Sequence, residues 1–337
     1  MKRFGTQKEK DFIEALSYRY AENPPEDRSS LDEAYAEAMG RLAEKYPDDM
    51  DAQTLYAEAL MDLHPWDYWK KDGTPQPWTP RIMSVLESVI EKEPYHPGAN
   101  HLYIHAVEAE QPEKALPSAN RLRKLIPGAG HLVHMPAHIY IRTGDYHEGT
   151  LANERAVLAD NEYVTQCRQQ GIYPLGYVPH NYHFLWATAT MEGRSQKSKE
   201  AAKSTSDLVN TQTMRQPGLG TLQHYWIIPL YDHVRFGRWD EILEYPEPAE
   251  DLVYPRRIWH YARGMAFVGN GELNKARAEL QKVKTISDHD ALEEITIWDI
   301  NTTHELVNIA AWVLDGEIKS RDCLLYTSPS PRDRTRS

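Results

Sequence analysis

Apolar residues recur at helical spacing along most of this chain. Tyr35, Met39, Leu42 and Tyr46 share one helix face, as do Leu55, Ala59 and Leu63, and Leu116, Ala119, Leu122 and Leu125. Alternating runs of Val, Ile and Thr bounded by turn residues are nearly absent, so strands are not expected. Breakers cut the helical pattern into pieces of roughly 12–16 residues, the usual length of packed helices. Two early pairs are predicted. Lys8–Tyr20 pairs with Leu31–Tyr46, closing at Pro47, and Met50–Leu63 pairs with Pro80–Lys92, closing at Pro94. An aromatic segment, His64–Trp69, and a Gly/Pro-rich loop to Thr79 separate the second pair. With two Trp and a Tyr close together, that segment reads either as a functional loop or, more simply, as an aromatic plug over the gap. Thr302–Leu314 is predicted as a further first helix, turning at Gly316.

The pairs repeat. A tight turn followed by a small residue or its stand-in recurs at Glu110–Ala115, Gly144–Gly149, Gly193–Ser198, Gly237–Ile242 and Gly271–Ala276. Successive turn starts lie 34, 49, 44 and 34 residues apart. A period of about 34 is that of the tetratricopeptide repeat, a helix–turn–helix unit. Pro127 stands where such a unit closes, Tyr146 and Trp239 supply the aromatic after the turn, and Ala115, Ala119 and Ala276 fill small-residue positions of the second helix. The longer spacings place insertions at Glu162–Tyr177 and Thr211–Gly220. The strings NHLYIHAVEA (100–109), GHLVHMPAHIYIRTGDY (130–146) and PHNYHFLWATATMEG (179–193) also resemble a group of bacterial tetratricopeptide-repeat proteins. So do AYAEAMGRLAEKYPDD (34–49) and AEALMDLHPWDYW (57–69). The resemblance implies an all-α, right-handed α-solenoid of stacked helix–turn–helix repeats over residues 1–322. It also implies a concave groove, lined by the first helix of each pair, that binds a partner protein, peptide or small ligand.

Registered on the turns, that repeat pattern puts histidines on the groove face. His131, His134 and His138 fall on three groove-lining positions of one unit, His180 and His183 on the first two of the next, and His224 on the first of the one after. Six of the fifteen histidines are thus in register. Asn100, Glu108 and Arg142 fall on further groove-lining positions, and Tyr140 lies in the same helix as His138. His101 and His105 sit one residue's rotation off that face, as though packed between helices.

Two chemistries follow. Pairs spaced like His131/His134, His180/His183, His134/His138 and His101/His105 bring two imidazole nitrogens to one ion. A zinc, copper or iron ion held by His131, His134, His138, His180 and His183, with Glu108 as carboxylate ligand or base, is one reading. Recognition of an acidic peptide tail or small anion by imidazoles with Tyr140, Tyr182 and Arg142 is the other. Convergence of the ring nitrogens favours the first, and a ladder of separated rings favours the second. No catalytic residue is assigned: His-Glu-x-x-His, Gly-x-Ser-x-Gly and a phosphate-cradling glycine loop are all missing.

Composition narrows the partners. The net charge of −12 argues against a nucleic-acid surface. No apolar run is long enough to span a bilayer, so a membrane partner is not expected. Two cysteines, Cys167 and Cys323, make no disulfide framework. Cys167 has no base beside it in sequence and reads as structural. A reducing, cytoplasmic setting is the expectation. From Cys323 the chain reads CLLYTSPSPRDRTRS, with no helical period, and looks like a translated sequencing adapter. Residues 323–337 are therefore expected to be non-native and disordered, and residues 1–322 to belong to a longer array.

Overall fold

The computed structural model describes residues 4–167, 173–287, 290–298 and 300–322. The expected tail, Cys323–Ser337, and residues 168–172 of the expected insertion lie outside them. The chain divides into two compact units, Met1–Tyr163 and Val164–Ser337.

The first unit is a run of antiparallel helix pairs. α1 (Gln7–Ser17) opens with a capping box, in which Thr6 accepts from the Glu9 N–H and the Glu9 carboxylate accepts from the Thr6 N–H. It packs on α2 (Ser29–Lys45), and α3 (Met50–Asp62), capped by Asp49, packs on α2 and on α4 (Thr79–Lys92). α5 (Pro97–Val107) starts at Pro97, with the His96 ring accepting from the Ala99 N–H at 3.1 Å. Its partner is a 3₁₀ turn, Pro112–Ala115, running into α6 (Leu116–Leu122).

The next inner helix comes in two pieces, α7 (Gly130–His134) and α8 (Pro136–Thr143). Pro136 has no N–H to give the turn before it, so the ladder breaks there, while Met135 keeps helical angles and the axis continues. Gly144, at φ 86°, turns the chain into α9 (Tyr146–Cys167). Gly130 lets α7 approach α9: a Cβ there would stand 1.8 Å from Asp160 Oδ1 and 3.1 Å from the Ala156 carbonyl. Ile82, Leu86, Ile104, Leu122, Met135 and Ile139 form the core beneath these helices. Each such buried side chain contributes about 1.5–3 kcal/mol.

The aromatic segment His64–Trp69 is packed into the unit only in part, with Trp66 exposed. Trp69 Nε1 donates to the Ala106 carbonyl at 2.8 Å, Tyr68 is buried, and the His64 ring stacks on Trp78 at 3.6 Å.

In the second unit α10 (Val178–Glu192) pairs with α11 (Ser195–Asp207), and α12 (Gly220–Arg235) with the short α13 (Trp239–Glu244). α14 (Val253–Gly269) pairs with α15 (Leu273–Ser287). A single turn, α16 (Ala291–Glu294), leads into a two-stranded hairpin, β1 (Thr296–Ile297) and β2 (Asn301–Thr302), with Thr296 opposite Thr302. α17 (Thr303–Arg321) follows with its own Thr302/Glu305 capping box and packs on α14 and α15. Gly193, Gly237 and Gly271 take φ of 79°, 66° and 77° at the three repeat turns. Buried Asp232 ties α12 to α11, accepting from Ser198 Oγ at 2.5 Å and from the Arg238 guanidinium.

The described residues therefore form an all-α, helical-repeat fold, as the apolar periods and turn residues imply. The two-residue hairpin is the exception.

Candidate metal centre in the first unit

α5 carries His101 and His105, and Glu108 follows as its C-cap with helical angles, so at offsets of four and three residues all three lie on one face. α7 and α8 carry His131, His134 and His138, of which His131 meets His101 and His138 meets Glu108. α9 contributes Asn153 from behind. The result is a polar cluster of five imidazoles, one carboxylate and one amide within an apolar frame.

Three histidines converge. His101, His105 and His131 each offer a ring nitrogen, and these lie within 4.8 Å of one another. His101 Nε2 and His131 Nε2 are 3.2 Å apart. Two nitrogens bound to one zinc at about 2.05 Å, with an angle near 100°, are separated by about that distance.

The outer contacts orient the rings. Glu108 accepts from two of them, Oε1 from His105 Nδ1 at 3.2 Å and Oε2 from His138 Nδ1 at 2.6 Å. Burial opposes the charge on Glu108, but His138 and His105 outweigh it and hold the carboxyl well below its usual range. An ionised carboxylate only accepts, so both Nδ1 atoms carry protons. His134 is fully buried, and its Nδ1 lies 2.7 Å from Asn153 Oδ1. The Asn153 amide is fixed by its own Nδ2, which donates to the Gly149 carbonyl at 2.9 Å. His134 therefore also carries its proton on Nδ1. Its Nε2 stands 2.9 Å from His138 Nε2.

Burial pushes His101 well below the ordinary histidine value, with the neighbouring imidazoles adding to the effect. Burial likewise lowers His131 to about 3, helped by His105 and His138. Both rings are neutral at pH 7, the form that ligates a metal.

The other candidate residues fall as follows. Asn100 is fully buried, and its amide donates to the carbonyls of Pro94 and His96 at the start of α5. Tyr140 is buried, and its hydroxyl donates to Asn120 Oδ1 at 2.7 Å. Arg142 is exposed, with Nη1 3.4 Å from the Ala109 carbonyl. His180, His183 and His224 belong to the second unit. His180 lies against Phe184, with ring centroids 4.8 Å apart. His183 stacks on Trp186 and meets His224 edge-on, at 5.4 and 5.5 Å. His224 Nδ1 is 2.8 Å from the Tyr254 hydroxyl. Burial lowers His183 to about 3, with His224 adding to it, and lowers His224 to about 4. Asn153 and Tyr254 are the partners that sequence reasoning missed. Asn153 carries a faint signal, as a lone amide on a helix face lined by Ala152, Ala156 and Ala159.

No protein-family model and no curated protein matches the chain. Three solved structures show a low similarity to the chain. One is a tetratricopeptide repeat protein from Parabacteroides merdae, at 11% identity and TM-score 0.43, covering 92% of this chain and 99% of that one. Another is the human IFIT1 dimer with m7Gppp-AAAA, at 14% identity and TM-score 0.37, covering 86% of this chain and 68% of that one. The third is yeast Tom70, at 10% identity and TM-score 0.35, covering 99% of this chain and 68% of that one. The chain's own helix pairs and glycine turns make this protein an all-α helical-repeat protein.

Proposed function

We propose that this chain is a transition-metal-binding helical-repeat protein, with His101, His105 and His131 as the ligands of one zinc-type ion. The observation that carries the reading is the convergence of three ring nitrogens, from two separate helices, within 4.8 Å. Rings that only filled a packing seam would not need to point their nitrogens at one place. Three imidazoles suit zinc, copper or iron, and a tetrahedral zinc with three protein ligands keeps a fourth position open. Glu108 supplies the carboxylate behind a ligand histidine that fixes the ring and raises its basicity. On this reading the open position takes a small ligand or a side chain of a partner held by the repeat scaffold.

The test is metal content. The full chain, purified without a polyhistidine tag and stripped with chelator, is loaded with zinc and passed through a desalting column. About one equivalent or more is expected to remain. His105→Ala should lose the tightest equivalent while keeping its helical circular dichroism. His147→Ala, a change at an exposed histidine outside the cluster, should keep it. Less than about a tenth of an equivalent of zinc, copper and iron alike would sink the proposal.

A further inference from the structure

The second unit holds a cleft of about 510 Å³, walled by Arg256, Trp259, His260 and Arg263 of α14 with Glu279 and Lys282 of α15. The four α14 residues share one helix face. α13 stops short beside them: Tyr245 is extended and Pro246 and Pro248 follow, so the helix ends at Glu244. The segment after it is fastened to α14. Trp259 Nε1 donates to the Tyr245 carbonyl at 3.0 Å, Arg263 Nη1 donates to the Leu243 carbonyl at 3.2 Å, and the Arg256 guanidinium pairs with Glu247. The Arg263 guanidinium also lies over the Trp259 ring, 4.6 Å from its centroid. At the back of the cleft His260 is 6% exposed, and its Nδ1 stands 2.6 Å from Glu279 Oε2. Burial opposes the charge on Glu279, but His260 and Lys282 outweigh it and hold the carboxyl below its ordinary range. An ionised carboxylate only accepts, so His260 Nδ1 carries a proton. Among the described residues nothing hydrogen-bonds to His260 Nε2, which is left to face the cleft.

We propose that this cleft binds a small phosphoryl anion, held by His260 Nε2, Arg263 and Lys282. Charge supports an anion. Lys282 Nζ, 3.3 Å from Glu279 Oε1, and Arg263 Nε, 3.6 Å from the same oxygen, share one carboxylate. Arg257, next to Arg256, is 2% exposed and has no carboxylate partner among the described residues; its Nε donates to the Val253 carbonyl at 3.3 Å and its Nη1 is buried without an acceptor. Burial, with the charge on Arg256 adding to it, pushes the Arg257 pKa down to about 10. Arg256, Arg257, Arg263 and Lys282 therefore stand beside two carboxylates, Glu247 and Glu279, in a chain whose net charge is −12. Guanidinium and ammonium groups give a phosphate several charge-assisted hydrogen bonds at once. His260 narrows the anion further. In its neutral form Nε2 accepts, and in its charged form it donates. A phosphate near neutral pH carries both an O–H and charged oxygens, so it suits either state, whereas a carboxylate suits only the second. This site lies in the second unit and does not depend on the metal reading of the first.

The test is calorimetric titration of the full chain with inorganic phosphate at pH 7. The chain is first stripped with chelator, so that no metal in the first unit can hold the anion. Saturable uptake of one phosphate per chain is expected. Lys282→Glu, a change at a half-exposed rim residue that leaves the buried groups in place, should weaken it by about tenfold or more. Lys203→Glu, the same charge change at an exposed lysine of α11, should leave it within about twofold. Phenyl phosphate and acetate are titrated beside it. Tighter binding of phenyl phosphate than of inorganic phosphate would assign the cleft to a phosphate monoester, and the reverse order to free phosphate. Acetate binding as tightly as either would overturn the phosphoryl assignment. Uptake that Lys282→Glu leaves unchanged, or that both lysine variants weaken equally, would overturn the site, as would the lack of saturable uptake. In the wild type itself, the imidazole resonances of one histidine should move at the same half-saturation, and a titration in which none moves would overturn the contact with His260 even where a variant fails to fold.

Discussion

Glu108→Gln tests the network at its hinge. The change keeps size and shape but replaces one of two acceptor oxygens by an NH₂ donor. In the wild type both oxygens receive imidazole protons, at 3.2 Å from His105 Nδ1 and 2.6 Å from His138 Nδ1. The glutamine can accept from only one of them. The other ring must turn its unprotonated Nδ1 toward the new NH₂, and its proton then moves to Nε2. That proton occupies the lone pair the metal needs. Losing such an outer-shell carboxylate typically costs 10–100-fold in metal affinity, which is about 1.4–2.8 kcal/mol. Competition against a chromophoric chelator at pH 7.5 measures it directly. Zinc should bind 10–100-fold more weakly to the variant, with helical circular dichroism unchanged. An affinity within twofold of the wild type would refute the assignment of Glu108 as the group that orients these rings.

Three further outcomes follow from the same geometry. His183 and His224 are buried with values near 3 and 4, far below an exposed histidine. The unfolded chain therefore binds more protons than the native one between about pH 6.5 and 4, so stability rises with pH across that window. Each ring should remove about 1.4 kcal/mol of stability per pH unit as the solution is acidified through it, readable in denaturant melts from pH 7 to 4. Gly130→Ala sets a methyl 1.8 Å from Asp160 Oδ1 and should cost about 1–3 kcal/mol in the same assay, where a neutral result would contradict the close approach of α7 and α9. Asp232→Ala leaves Ser198 and Arg238 without their shared acceptor and should cost about 3–5 kcal/mol, while a loss under 1 kcal/mol would show the network to be dispensable.

Much of the fold is legible from local signals. Gly144, Gly193, Gly237 and Gly271 mark their turns because only glycine enters the left-handed region without cost, and all four do so. Where glycine is missing, at Glu110, the turn leads into a 3₁₀ segment, a change the pattern of apolar residues does not reveal. The small residues Ala115, Ala119 and Ala276 are fully buried, as close helix packing requires. The site is legible only in part. His131, His134 and His138 stand out by spacing, and all three join the network. His101 and His105 read as packing residues because one residue's rotation takes them off the repeat's groove face. In the folded unit that rotation aims them at His131. Which face meets which neighbour depends on how α5 packs against the α7–α8 helix broken at Pro136, and spacing within a single helix carries no such information. Asn153 was hidden for the same reason, since it reaches His134 from α9, nineteen positions along the chain.

The central claim is that three imidazoles of the first unit hold one ion. Anomalous X-ray scattering at the zinc edge, from crystals of the untagged chain loaded with zinc, tests it most directly. A peak is expected about 2.0–2.1 Å from a ring nitrogen of each of His101, His105 and His131. Peaks confined to other histidines, with none among these three, would contradict it.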